Sequence, residues 1–254
     1  MSEQLLMEEL TSREIAEAVA GGKRIAIVPL GSIEAHGPQL PINTDSLLSR
    51  HVAHMVAERL GNALVAHTMP LGYLPRMTFP GSISVPVEVV LEVLRSYCTA
   101  LQRDGFRTVV LLPMHAEHFQ TLALYAPDLG QAFPELTIVA NVDVGGFIAM
   151  RNDIGERHGI GPDEAGWHAG AAETSEMLAF DPARVRTEAF RRGYIGPSGF
   201  GRILPETLRD GWRVLDPEGV MGDPEQSTAE FGQEILDRLA DFIAEHVRAA
   251  HSEA

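Results

Sequence analysis

Cysteine is nearly missing: Cys98 is the single one in 254 residues. That count excludes an internal disulfide and a thiolate zinc site. Cys98 lies in an apolar-periodic stretch, where it reads as a small buried residue rather than a nucleophile. Basic residues are also few, 20 against 35 acidic ones, for a formal net charge of −15. Nucleic acid and anionic membrane both select a basic face, so neither fits as a partner. No apolar run approaches the roughly 20 residues of a spanning helix. Residues 1–10 carry acids and no basic stretch leading into an apolar one, so no signal peptide is expected. The expectation is a cytoplasmic protein that acts on a small molecule. Aromatic residues are thin at 6%, with only Trp167 and Trp212 as tryptophans.

What is present is an alternation of strands and helices. Arg24–Leu30, Leu64–His67, Thr108–Leu112 and Leu136–Val142 are apolar and rich in β-branched residues, as buried parallel strands are. Between them, residues 46–60, 86–104 and 116–129 read as helices. Thr11 and Glu14 form the pattern of a capping box, and Ser227 is placed to cap a last helix with Phe231, Ile235, Leu239 and Ile243 at helical spacing. Gly155–Gly166 reads as a loop, Ala165–Phe180 as a helix, and Trp212–Leu215 as strand-like. Residues 181–228 have little regular pattern. No repeat, linker or low-complexity tract interrupts the chain. Residues 1–254 are therefore expected to form a single α/β domain with a mostly parallel sheet.

Two clusters carry chemistry. Gly31-Ser32-Ile33-Glu34-Ala35-His36-Gly37-Pro38-Gln39-Leu40-Pro41-Ile42-Asn43-Thr44-Asp45 follows the first strand, and Pro113-Met114-His115-Ala116-Glu117-His118 follows the third. Sites in open α/β sheets form outside the carboxyl ends of strands, so both clusters fall on one rim. Carboxylate and imidazole donors suit Zn²⁺, Mn²⁺ or a mixed pair. A symmetric division gives one ion His36 and His115 and the other Glu34 and Glu117, with Asp45 bridging. Each ion then keeps an open position, as catalytic sites require. Ser32 lacks the Gly-x-Ser-x-Gly elbow of a serine nucleophile.

These motifs resemble the creatininase (creatinine amidohydrolase) family. Gly31 to Pro41 with Thr44-Asp45 is similar to its signature, and His115-Ala116-Glu117 to its second metal segment. His168-Ala169-Gly170 through Glu173-Thr174-Ser175 is similar to its third motif, and Phe79-Pro80-Gly81-Ser82-Ile83-Ser84 to a further shared stretch. The resemblance implies a three-layer α/β/α sandwich, a binuclear Zn/Mn site, hydrolysis of a non-peptide C–N bond in a cyclic amide or formamide, and often a homohexamer. It also implies a proton carrier at His168 and a supporting acid at Glu173. At the second segment many family members have Asn-Gly-His and an Asn three residues after the His; here Pro113-Met114-His115 and His118 stand instead. His118 is thus a candidate ligand, substrate contact or helix-start residue. The creatinine enzyme's tryptophan cluster is thinned here, with only Trp167 beside a site motif, so creatinine itself is a poor fit and Trp167 a candidate substrate contact.

The mechanism expected on this basis is attack of a metal-bound hydroxide on an amide-like carbon, with His168 carrying the proton to the leaving nitrogen. The alternatives within the resemblance are peptidase trimming of a peptide-derived cofactor precursor and ring-opening of an oxidised cyclitol. A phosphorylated substrate would need a basic pocket, for which Arg76, Arg191, Arg192 and Arg202 are candidates. His158 is a candidate for reaching the site from a lid or a neighbouring subunit.

Overall fold

The computed structural model describes residues 4–141, 143–196 and 205–252. Val142, the expected end of a strand, and Arg202 lie outside them. The helices and strands in chain order are α1 (Ser12–Ala20), β1 (Ile25–Leu30), α2 (Thr44–Leu60), β2 (Ala63–Val65), α3 (Val87–Arg103), β3 (Thr108–Pro113), α4 (Ala116–Ala132), β4 (Thr137–Ala140), α5 (Val144–Arg157), α6 (Pro162–Ala165), α7 (Ala171–Phe180), α8 (Pro205–Asp210) and α9 (Ala229–Ser252). Short 3₁₀ turns fill several of the connections.

The four strands form one sheet in the order β2-β1-β3-β4, all parallel. Every residue of β1 and β3 is buried, as expected of strands covered on both faces. Right-handed crossovers put α2 on one face and α3 and α4 on the other. The packing agrees: α2, α7 and α9 contact one another, while α3 contacts α4. The fold is a three-layer α/β/α sandwich. From β1 the chain leaves through α2 to β2 on one side; it then returns through α3 to β3 on the other. The point where the connections diverge lies between the carboxyl ends of β1 and β3, where crevices open in such sheets. The register pairs Leu30 with Pro113, so both strands end at the same height.

The capping box at Thr11 and Glu14 is present, and Cys98 is buried, with burial pushing its thiol up to about 11. Four local expectations are revised. The stretch after β4 holds α5, whose two glycines at its start blur the helical signal; Asp143 caps it by accepting from the Gly146 amide at 2.8 Å. This helix runs into the segment expected to be loop. α7 begins at Ala171 rather than 165, because His168 is held in a bridge with Met221. Trp212–Val214 is a 3₁₀ turn, its ring packed with Leu74, Met77, Phe79 and Met221. At α9 it is Thr228 Oγ1 that accepts from the Phe231 amide, while Ser227 donates to the Ala171 carbonyl.

α7 and α9 meet so closely that a Cβ at Gly232 would lie 1.9 Å from the Ser175 carbonyl oxygen. Helix propensity alone would make Gly232→Ala stabilising by about 1 kcal/mol. Collision with backbone reverses that sign, so a loss of about 1 to 3 kcal/mol is expected in denaturant titration. A gain in stability would show that the two helices are free to separate.

Candidate metal centre

β1 delivers the first donors. Directly after it, Gly31 permits the start of α2 to approach: a Cβ there would sit 2.4 Å from Ser46 Cα. That contact brings Asp45, in the first turn of α2, back over the loop. Ser32 Oγ donates to Asp45 Oδ2 at 2.8 Å. Glu34 is anchored through its amide to the Ile42 carbonyl, 2.9 Å. His36 donates from Nδ1 to the Glu34 carbonyl at 3.0 Å, which turns Nε2 toward Asp45 Oδ1 at 3.1 Å. A backbone acceptor on one imidazole nitrogen is the usual way of presenting the other to a metal.

β3 delivers the second set. His115 Nδ1 lies 2.9 Å from Glu34 Oε1 and 3.3 Å from Asp45 Oδ2. Its Nε2 is 3.1 Å from Glu117 Oε2, although no well-directed hydrogen bond forms there. Glu117 Oε1 accepts from Arg76 Nη2 at 3.3 Å. His118 turns away, donating from Nε2 to the Gly31 carbonyl at 2.9 Å. Burial and the neighbouring His115 push His118 down to about 3. It is a neutral strut between β1 and α4.

The third set comes from the turn into α7. Ala169 adopts a left-handed conformation with φ of 51°, a backbone state that non-glycine residues hold only where the surroundings enforce it. The turn brings His168 and Glu173 together. Glu173 Oε2 accepts from the Ala169 amide at 2.6 Å and lies 3.7 Å from His36 Nε2. His168 donates from Nε2 to the Ala35 carbonyl at 2.7 Å, stacks 4.4 Å from the His36 ring, and places Nδ1 3.9 Å from Glu34 Oε1.

Three buried donor groups result: Glu34–Asp45–His115, His36–Asp45–Glu173 and Glu34–His36–His168. The first two share Asp45, one carboxylate oxygen facing each. This differs from the symmetric division expected from spacing. His115, not Glu117, lies with Glu34, and Glu173, not His115, completes the His36 group. Spacing along the chain could not show this, because the turn at Ala169 sets where Glu173 falls. Glu117 belongs to none of the three groups.

The electrostatics fit cations. Burial favours a neutral Asp45, yet His36 and His115 beside it hold its carboxyl well below the usual range. Burial would lower His36, but Asp45 and Glu173 drive it up to about 10. His115 is likewise raised well above its ordinary value, against burial, by Glu34 and Glu117. Burial raises Glu34, against the pull of His115, and Glu34 Oε2 is buried with no hydrogen-bond partner among the described residues. Protonated imidazoles here stand where positive ions would: crowded carboxylates with an orphaned oxygen, and imidazoles oriented by carbonyls, match a divalent metal site.

Glu34, Asp45, His115, His168 and Glu173 line a cavity, with His36 buried behind them, and Glu117, Phe119, Phe147, Arg151, Trp167 and Trp212 line it as well. Trp167 and Trp212 meet edge to face at 4.8 Å, and the Arg76 guanidinium lies 4.3 Å over Trp212. Arg76 was a candidate for a basic pocket and instead holds Glu117, whereas Trp212 and Arg151 were not visible as site residues, since each comes from an irregular or unrecognised segment. Arg191 is paired with Asp216 and Glu218, and Arg192 lies near Glu164 and Asp223. Neither lines the cavity, so these arginines do not supply it with a basic pocket. His158 is engaged by Glu234 at 2.8 Å and packs on Phe231, outside the site.

The family described as Creatininase: Creatinine amidohydrolase matches residues 8–247. Creatinine amidohydrolase of Pseudomonas putida is 30% identical over 263 residues, covering 98% of both chains. Mycofactocin precursor peptide peptidase of Mycobacterium tuberculosis (strain CDC 1551 / Oshkosh) is 29% identical over 241 residues, covering 87% of this chain and 83% of the relative. Two solved creatininase structures, one described as creatininase Mn and one a mutant of Zn–Zn type, are each 25% identical, with TM-score 0.77 and 98% coverage of both chains.

His36 rises from an ordinary 6.5 to about 10 in the folded, metal-free chain. Stability from that proton is complete below pH 6.5 and is lost as pH climbs toward 10. A metal ion must displace the same proton, so its affinity rises through that interval. Chelator-competition titrations from about pH 6.5 to 9 read the slope; an affinity that does not change with pH contradicts the placement of His36 among the ligands.

Proposed function

We propose that this chain, which belongs to the creatininase family, hydrolyses a non-peptide C–N bond, in a cyclic amide or a formamide, with two divalent cations, Zn or Mn, held around Asp45. Hydrolysis as the reaction class follows from the family and its curated relatives. The observation that carries the reading is the sharing of Asp45 between two complete donor groups, Glu34–Asp45–His115 and His36–Asp45–Glu173. Such a pair of ions supplies Lewis-acid charge for a developing oxyanion and acidifies a water nucleophile.

The chain's own residues handle the protons. His168 donates from Nε2 to the Ala35 carbonyl, which leaves Nδ1 as the basic nitrogen on the cavity side. A neutral imidazole in that tautomer can take a proton and pass it to a departing nitrogen. Glu117, outside the donor groups, also lines the cavity and is held by Arg76. We assign it the complementary role: it steadies the far nitrogen of His115 and accepts a proton from the attacking water. The Trp167–Trp212 pair and Met77 give the cavity an apolar wall that excludes water and orients a flat or apolar amide.

The relative that acts on a mycofactocin precursor peptide supports a second reading, cleavage of a peptide amide on the same donors. Screening lactams, formamides, short peptides and cyclic ketones for metal-dependent opening separates the two. The first reading predicts turnover of a lactam or formamide; turnover of peptides alone would replace it by the second. His168→Ala is expected to keep its metals and lose about 10²- to 10⁴-fold in turnover. Metal loss in that variant, measured by elemental mass spectrometry, would reassign His168 as a ligand through the Glu34–His36–His168 group.

A further inference from the structure

One wall of the cavity is a single helix face. Val144, Phe147, Ile148, Arg151 and Asn152 of α5 line it, the i, i+3, i+4, i+7, i+8 positions of one stripe. The stripe is apolar for its first two turns and ends in a cation beside an amide. Arg151 is only 8% exposed. Its Nη2 donates to both Glu176 oxygens, at 2.5 and 2.7 Å, and its guanidinium carbon lies 4.2 Å over the Phe147 ring. These contacts fix the plane of the group. They leave Nε buried without a hydrogen-bond partner among the described residues. A buried donor left unmade is costly and calls for a partner. A planar, fixed guanidinium is suited to a carboxylate. None of this is needed to hold the metals, since Arg151 belongs to no donor group.

Resting on the hydrolase reading above, we propose that Arg151, with Asn152 beside it, forms an anion subsite, and that the substrate is an amide bearing a carboxylate as well as the bond to be cleaved. The apolar stripe from Val144 to Ile148 then packs against the substrate's hydrocarbon body. Arg151 selects the acid over its neutral analogue.

Metal-seeking hydroxamates test the subsite apart from the metals. The Zn-loaded protein is titrated calorimetrically with acetohydroxamate, and with malonyl, succinyl and glutaryl monohydroxamates, each beside its terminal primary amide. At one chain length the carboxylate is expected to bind about 10- to 100-fold more tightly than its amide, the range of a charge-assisted pair. Arg151→Gln is expected to bring that ratio near one. Because this variant leaves Glu176 buried alone, the double variant Arg151→Gln with Glu176→Gln is measured too, and circular dichroism checks both folds. The ratio cancels any general change in metal affinity. A ratio near one at every length in the unmodified protein, with acetohydroxamate still bound, overturns the subsite and leaves the hydrolase reading standing. A ratio that survives in both variants overturns the assignment to Arg151. Failure of every hydroxamate to bind removes the metal centre, and the subsite with it.

Discussion

Asp45 is buried between two imidazoles, one at each carboxylate oxygen, and the rest of the site follows from that sandwich. Glu34 and Glu173 crowd the same space, all three carboxylates nearly inaccessible to water. Like charges in a medium of low polarity repel strongly, and burial of unpaired charge is among the largest penalties a fold can carry. In the metal-free chain that repulsion is relieved by protons on His36 and His115. Divalent ions would relieve it better, because the side chains lie in groups of three donors, Glu34–Asp45–His115 and His36–Asp45–Glu173, that could hold them. The pull on those imidazole protons and the affinity for cations are therefore one electrostatic fact seen in two states.

Such a cluster needs a scaffold that does not yield. β1 and β3 are hydrogen-bonded over their whole length, in the middle of the sheet, with every residue buried. Their shared end height fixes Glu34 and His36 against His115. α2 returns Asp45 through the close passage at Gly31. α7, clamped by α9 at Gly232, sets the height of Glu173. His118, held at Gly31, ties α4 to β1. The strain at Ala169 sits in the turn that brings His168 and Glu173 together, as strain commonly does where the surrounding structure must enforce it.

Much of this was legible in the chain. Glu34, His36, Asp45 and His115 follow apolar strands in a parallel α/β pattern, and the rule about strand ends places them on one rim. The partition among them was not legible. Glu173 lies far along the chain, and its height depends on where α7 begins, which a bridge between His168 and Met221 decides. Glu117 carries the spacing of a ligand yet faces Arg76, a residue from an irregular loop. α5 was hidden because its opening glycines depress helical propensity, while the capping oxygen of Asp143 and the burial of its inner face outweigh them. Tertiary packing, not local preference, settled each of these points.

Whether one aspartate joins two cations is read from electron paramagnetic resonance of the Mn-loaded protein. Two Mn²⁺ ions joined through the Asp45 carboxylate are exchange-coupled and give a spectrum with hyperfine lines at about half the mononuclear spacing, at two ions per chain. Asp45→Asn is expected to abolish that signature. A spectrum of isolated Mn²⁺, or one ion per chain at saturation, would show that Asp45 does not join two cations.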